Sequence, residues 1–309
     1  MKLTACHCMT LFFEGNDEPI EDFVEDALTL NIGMLSHKSS QLVQEAWNCC
    51  DAIIKRLKKE SMESYVKSVR AGIREAERDI NYGEEVAGFC LNKGLAPLLS
   101  ILLQGLITGT ADIREIASYA IGDLVMRTSE VSLKPFVTQI TGPLIRVIGD
   151  RFGPSVKTAI LSTLALLLSK VPNLLKPFLP QLQRTFVKSL SEIGSTATMR
   201  SKTAQCLSAL IPLQTRLDPL VLELIQGIKT AEATVEPEMW EAMFGLIQGV
   251  SRESGKSISE ASQISLLALI HDKLFNSGDN GTVQRIGASK CFGAICNAIA
   301  LEKTRDLVM

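Results

Sequence analysis

The chain has 309 residues, of which 46% are hydrophobic and only 5% aromatic, and its formal net charge is −2. That length and apolar content supply a packed core throughout, while so few aromatics argue against an all-β fold, whose strands lean on Tyr, Phe and Trp. Near-neutral charge excludes a chain that coats nucleic acid along its whole length, and leaves only local basic stripes to consider.

The first 13 residues lack the clean apolar stretch and small-residue cleavage site of a signal peptide. The longest apolar run elsewhere, around 159–168, is far short of a membrane span. A soluble cytoplasmic protein without a membrane segment is therefore expected. Cys6-His7-Cys8 looks like part of a metal site, but no second Cys/His cluster follows at zinc spacing, so no metal and no cofactor are expected. The other cysteines, Cys49, Cys50, Cys90, Cys206, Cys291 and Cys296, form no CxxC pair and read as small core residues of a reduced protein.

Residues 18–35 begin with carboxylates and place Ile20, Phe23, Val24, Ala27, Leu28 and Leu30 at helical spacing. Ser39 or Ser40 caps a second helix over 41–58, with Leu42, Val43, Ala46, Cys50, Ile53, Ile54 and Leu57 facing inward. The two are expected to form one antiparallel pair over 18–58. A charged helix over 60–80 follows, with Lys67, Arg70, Arg74 and Arg78 on one face. That stripe suits ribosomal RNA phosphates or an acidic partner. The commoner pattern is the solvated face of an exposed helix, offset by the interleaved Glu63, Glu75, Glu77 and Asp79. Gly83, Gly88 and Gly94 then break the periodicity, so 81–94 reads as a loop or a distorted repeat. Residues 1–92 are accordingly expected to be divergent helical repeats, and 93–309 a regular array whose last repeat stops short.

From Gly94 onward helices come in pairs: 94–108 with 111–128, 133–150 with 154–171, 175–192 with 196–213, 217–230 with 236–254, and 257–276 with 280–299. Leu-Lys-Pro-Phe occurs at 133–136 and again at 175–178, 42 residues on. Pro97, Pro135, Pro177 and Pro219 mark the start of the first helix in four pairs, where a missing N–H costs nothing. Arg114, Lys157 and Arg200 recur at intervals of 43 near the start of the second helix, and Arg285 lies two units further on. Ala117, Ile160, Thr203 and Ala288 follow them three residues later. A two-helix unit of about 40 residues, returning in register, defines an all-α, right-handed α-solenoid of HEAT-type antiparallel helix pairs. The recurrent basic residue is expected to join ion pairs between neighbouring units, with Asp112 and Asp150 as partners.

No catalytic apparatus emerges. His7, His37 and His271 lie far apart, no base accompanies a nucleophile, and no Gly-rich phosphate loop is present. Stacked helix pairs also offer no deep pocket, so neither enzymatic activity nor a small-molecule substrate is expected. They offer a long surface instead, where exposed Arg and aromatic residues act as anchors. The candidates are Arg146, Arg151, Phe178, Arg184 and Trp240. Phe178 also has a core reading, because it echoes Phe136. Arg146 sits between Ile145 and Val147 on an apolar helix, so its charge must reach an edge or a partner.

Two phrases carry a family resemblance: Ile140–Phe152, ITGPLIRVIGDRF, and Leu175–Gln183, LKPFLPQLQ. They resemble the general-control translational activator family, giant HEAT-repeat proteins that activate the amino-acid-starvation kinase of the translation initiation factor 2 alpha subunit. The resemblance is specific from Gly88 to Ile228 and weak before Gly88. Those proteins are several times longer, so the chain resembles a piece of their C-terminal third. The resemblance implies a non-enzymatic scaffold that binds ribosomes and polysomes, and that holds the N-terminal RWD domain of the kinase. Arg146 matches the arginine that the family needs for the kinase contact, Arg151 is the second match, and Phe178 is a supporting neighbour. Ile193–Thr198, IGSTAT, departs from the usual short turn. The alternative is a general HEAT adaptor of the nuclear-transport or phosphatase-scaffold kind.

Overall fold

A computed structural model describes residues 1–15, 19–81, 83–192, 194–230, 235–252, 258–278 and 281–298. All regular structure among them is helical. Contacts divide the chain into two compact units, Met1–Leu175 and Lys176–Met309.

The first unit holds α1 (Lys2–Gly15), α2 (Glu21–Gly33), α3 (Ser40–Arg56), α4 (Val66–Glu77), α5 (Ala96–Thr108), α6 (Ala111–Arg127), the one-turn α7 (Glu130–Leu133), α8 (Val137–Ile148) and α9 (Pro154–Lys170). Two rows form. The first helices of the pairs, α1, α3, α5 and α8, pack in succession, and so do the second helices, α2, α4, α6 and α9. The helices of the expected pair over 18–58, α2 and α3, pack against one another, and α2 is also stacked on α4, with α1 preceding it against α3. Sequence reading missed α1 because Leu3–Phe13 is apolar on nearly every side and shows no cap. Cys6, Thr10 and Phe13 are its buried residues, and Phe12 meets Phe23 of α2 edge-on at 6.0 Å.

The burial of α2 also differs from expectation. Val24, Ala27, Leu28, Asn31 and Ile32 are inside, whereas Phe23 and Leu30 are exposed. The contact with α4 sets this rotation. Gly72 of α4 lies so close that a Cβ there would stand 2.6 Å from Ile32 Cβ and 3.1 Å from the Thr29 carbonyl oxygen. In α3 the expected inward residues are buried, with Leu57 half-buried, and the Ser39 hydroxyl accepts the Leu42 N–H.

The glycine-broken stretch between α4 and α5 is a packed connector. Val86 and Phe89 are fully buried. The Val86 N–H donates to the Arg127 carbonyl and the Gly88 N–H to the Leu35 carbonyl, both at 2.9 Å. Trp47 Nε1 donates to the Gly94 carbonyl at 3.0 Å. Gly88 is required sterically, since a Cβ would stand 2.5 Å from the Leu35 side chain. A loop buried this way needs its backbone groups paired, and these bonds do that.

The second unit holds α10 (Leu179–Leu190), α11 (Ala197–Leu210), α12 (Asp218–Thr230), α13 (Glu236–Arg252), α14 (Glu260–Phe275) and α15 (Thr282–Ala298). Here α10, α12 and α14 form the first row, and α11, α13 and α15 the second. Pro97 and Pro219 sit in the first turns of α5 and α12. Pro135 and Pro177 sit instead in 3-10 turns that lead into α8 and α10. The expected partial helix over 301–309 and the end of the last pair lie outside the described residues, as does Ile193 of the IGSTAT segment.

The recurrent basic residue does something other than pair with Asp112 and Asp150. Arg114 donates to the carbonyls of Leu106 and Gly109, at 2.6 and 2.7 Å. Arg200 donates to the Ser195 carbonyl at 2.6 Å, and Arg285 to those of Ser277 and Gly278 at 3.0 and 3.1 Å. Arg114 reaches back across the turn to the end of α5, whereas Arg200 and Arg285 hold carbonyls of the turn just before their own helix. Carbonyls at a helix end or in a turn lack helical partners, so a guanidinium satisfies them, and at the end of α5 its charge also meets the negative end of the dipole. Arg200 adds a link to the next second helix, through Glu238 at 2.7 Å. Lys157 holds the same position and is buried.

The cysteines are free, and Cys6, Cys49, Cys50, Cys206 and Cys291 are buried. Burial pushes the thiols of Cys206 and Cys291 up to about 12, which keeps them protonated. Cys6-His7-Cys8 lies on α1 with Cys6 inside and the other two outside, and no group of three or more metal-binding side chains occurs among the described residues. No helix there is long and apolar enough to cross a membrane.

Candidate functional site: the turn after helix α8

The helix α8 is amphipathic. It buries Ile140, Thr141, Leu144, Val147 and Ile148, and it tolerates Pro143 inside. Arg146 falls on the opposite face, in the last turn, where a cation complements the carbonyl end of the helix. The charge therefore reaches the surface, as expected from its place on an apolar helix. Gly149 closes the helix by donating its N–H to the Arg146 carbonyl at 3.1 Å, and Asp150 donates to that of Val147. The chain then turns through exposed Arg151 and half-buried Phe152 before Pro154 opens α9.

The neighbouring turn builds the rest of the site. Arg114, at the start of α6, lays its guanidinium over the Phe152 ring at 4.4 Å from the centroid. A cation over an aromatic face is favourable, more so when partly desolvated. Burial lowers the Arg114 pKa, Asp150 and Glu63 raise it, and the positive charge of Arg146 lowers it further. The turns of two adjacent pairs thus present one patch: Arg146 and Arg151 outward, Arg114 locked beneath on Phe152, and Asp150 as the local counter-charge. Arg114 was legible only as a repeat position, and Phe152 only as the end of the phrase Ile140–Phe152. Their stacking depends on a 43-residue offset that brings one turn beside the next.

The other sequence candidates are placed differently. Phe178 belongs to the second unit, in the 3-10 turn ahead of α10, and is half-buried, whereas Phe136 is buried. Arg184 is exposed on α10. Trp240 is not a surface anchor. It is 2% exposed, packs where Gly287 leaves room, and donates its Nε1 to Glu236 at 3.4 Å. The period fixed its helix but not its face. Of the α4 stripe, Lys67 and Arg74 are exposed. Arg78 is exposed and pairs with Glu75 at 3.2 Å. Arg70 is half-buried against α6, 3.9 Å from Asp123 and 5.3 Å from the Tyr119 ring centroid. The stripe is one face, but Arg70 is engaged in packing the helices together.

Antiparallel helix pairs, stacked in two rows and with turns pinned by Arg114, Arg200 and Arg285, define a HEAT-repeat protein. Solved structures agree on the fold. The chain matches the structure titled "Kap95:Nup1 complex" with a TM-score of 0.54 and 14% identity, over all of this chain and 42% of that one. A crystal structure of importin beta matches with a TM-score of 0.52 and 14% identity, over 99% of this chain and 44% of that one. At the level of sequence, residues 1–93 match the family model described as "Stalled ribosome sensor GCN1-like, HEAT repeats". The match thus falls on the segment where the motif resemblance is weakest. Protein ILITYHIA of Arabidopsis thaliana is 38% identical over 99% of this chain and 12% of its own length. The eIF-2-alpha kinase activator GCN1 of Saccharomyces cerevisiae is 34% identical over 96% of the chain and 11% of its own length. The stalled ribosome sensor GCN1 of Mus musculus is 36% identical over 100% of the chain and 11% of its own length. The chain is thus similar over nearly its whole length to one segment of these GCN1-type HEAT-repeat proteins, and spans about a tenth of their length.

Proposed function

We propose that this chain is a non-enzymatic protein–protein scaffold that binds the RWD domain of the starvation-responsive eIF2-alpha kinase and works on ribosomes in the cytoplasm. HEAT solenoids typically serve as binding surfaces, and relatives similar over nearly the whole chain are named as an eIF-2-alpha kinase activator and a stalled ribosome sensor. The observation that carries the kinase reading is the exposed Arg146 beside Arg151 at the turn after α8, in the phrase that resembles the family's kinase-contact segment. Phe178 is a further proposed partner contact, taken within the second unit alone. The test is a pull-down of the kinase's RWD domain by the intact chain. Replacing Arg146 by alanine is expected to leave the fold unchanged within about 0.5 kcal/mol, because the side chain is exposed, and to weaken capture about tenfold or more, as for an interface anchor. Undiminished capture by the folded variant removes Arg146 from the interface.

For the ribosome, the α4 stripe supports a contact made mainly by Lys67 and Arg74, with Arg78 and Arg70 partly committed to Glu75 and Asp123. Co-sedimentation with ribosomes should fall steeply as salt rises, and the slope should flatten by about one for each of Lys67 and Arg74 replaced by glutamine. Binding that does not respond to salt rules the stripe out.

A further inference from the structure

The second unit carries a groove of about 420 Å³ between the start of α10, the turn after α11 and the first two turns of α12. Its walls are apolar at Leu179, Pro180 and Pro219, and its rim carries Lys176, Arg184 and Arg216. All three cations are exposed, and among the described residues none has a carboxylate within ion-pair distance. Beneath them lie two glutamines. Gln214 and Gln183 are 7% and 6% exposed, and the Gln214 amide donates to Gln183 Oε1 at 2.7 Å. That bond uses the donor end of Gln214 and leaves its Oε1 without a partner. One carboxylate oxygen of Glu223, in the opposite wall, is likewise without a partner.

The chemistry of the groove restricts its occupant. Buried acceptors without donors are costly, and a ligand that supplies N–H groups relieves them. Three uncompensated cations at the rim call for negative charge. A phosphate backbone brings charge but only acceptors, and sets them against Glu223. An extended polypeptide with Asp or Glu side chains brings both: main-chain N–H groups for Gln214 and Glu223, and carboxylates for Lys176, Arg184 and Arg216. We propose that this groove is a docking site for an acidic, extended peptide segment of a partner protein. The site lies wholly within the second unit and does not rest on Arg146 or on the identity of any kinase.

The test is fluorescence anisotropy of a labelled Asp/Glu-rich peptide titrated with the full chain, alongside a labelled single-stranded RNA oligomer of equal charge. The peptide is expected to bind, and unlabelled RNA to compete poorly. The double variant Arg184→Glu/Arg216→Glu should weaken the peptide about tenfold or more. Because both side chains are exposed, circular dichroism should show an unchanged fold. Gln214→Leu should weaken the peptide as well, with Lys229→Glu, exposed at the far end of α12, as the unaffected control. Failure of the peptide to bind overturns the proposal. So does binding that survives the charge reversal, or RNA that binds more tightly and displaces the peptide, which would make the groove a phosphate site.

Discussion

Truncating Phe89 to alanine is expected to destabilise the first unit by about 3–5 kcal/mol, as much as deleting an aromatic from the middle of a core helix. The residue stands in the irregular connector between α4 and α5, where ordinary surface loops tolerate change. Its ring is nevertheless fully buried, and so is Val86. The neighbouring backbone is tied to distant elements, to Leu35 through Gly88 and to Arg127 through Val86. Removing the ring opens a cavity that the pinned backbone cannot collapse to fill, which places the cost toward the upper end of that range. Urea denaturation followed by circular dichroism measures the loss. Hydrogen exchange should show it concentrated in α4, α5 and α6. A change below about 1 kcal/mol would mean that the connector is a loosely held loop after all.

The contrast between that connector and the helices shows what was legible in the sequence. Period, proline phase and the recurrent basic residue concern contacts between a helix and its equivalent one unit later, so they repeat in the chain. The pairs from Ala96 onward follow from them. The helix α1 did not, because it has apolar residues on nearly every side and therefore shows no stripe to read. The partners of Arg114, Arg200 and Arg285 were misjudged for a related reason. Side-chain carboxylates are visible in a sequence, whereas the carbonyls left over at a helix end or in a turn are not. Exposure of Arg146 was legible from its setting between Ile145 and Val147. The groove in the second unit was not, since the Gln183–Gln214 bond joins residues 31 apart that share no repeat position.

Replacing Arg127 by methionine should cost about 2–3 kcal/mol, while the same change at Arg78 on the same side of the unit should cost under about 0.5. Both are arginines with a glutamate partner, and burial separates them. The Arg78 and Glu75 side chains are 72% and 57% exposed, so water competes for each. Those of Arg127 and Glu77 are 12% and 20% exposed, with Nε 3.1 Å from the carboxylate. Arg127 also donates to the carbonyls of Asn81 and Glu84, at 2.7 and 3.2 Å, so one guanidinium holds α4, α6 and the connector together. Methionine fills similar space but leaves the Glu77 charge and two carbonyls without their donor. Lysine should restore only part of the loss, because a single ammonium cannot fork to all three. A pH signature separates the lost charge from lost packing. Burial raises the Asp123 pKa, Glu77 raises it further, and Arg70, Arg74 and Arg127 pull it down. Without Arg127 it should rise more, so the folded state binds more protons than the unfolded one over a wider interval above the ordinary carboxylate pKa. Stability then falls as pH rises through that interval. The deficit of Arg127→Met should therefore shrink as pH falls from neutral through the raised Asp123 pKa, whereas a packing defect would stay constant. Denaturation midpoints of the variant and the parent across that range decide between the two.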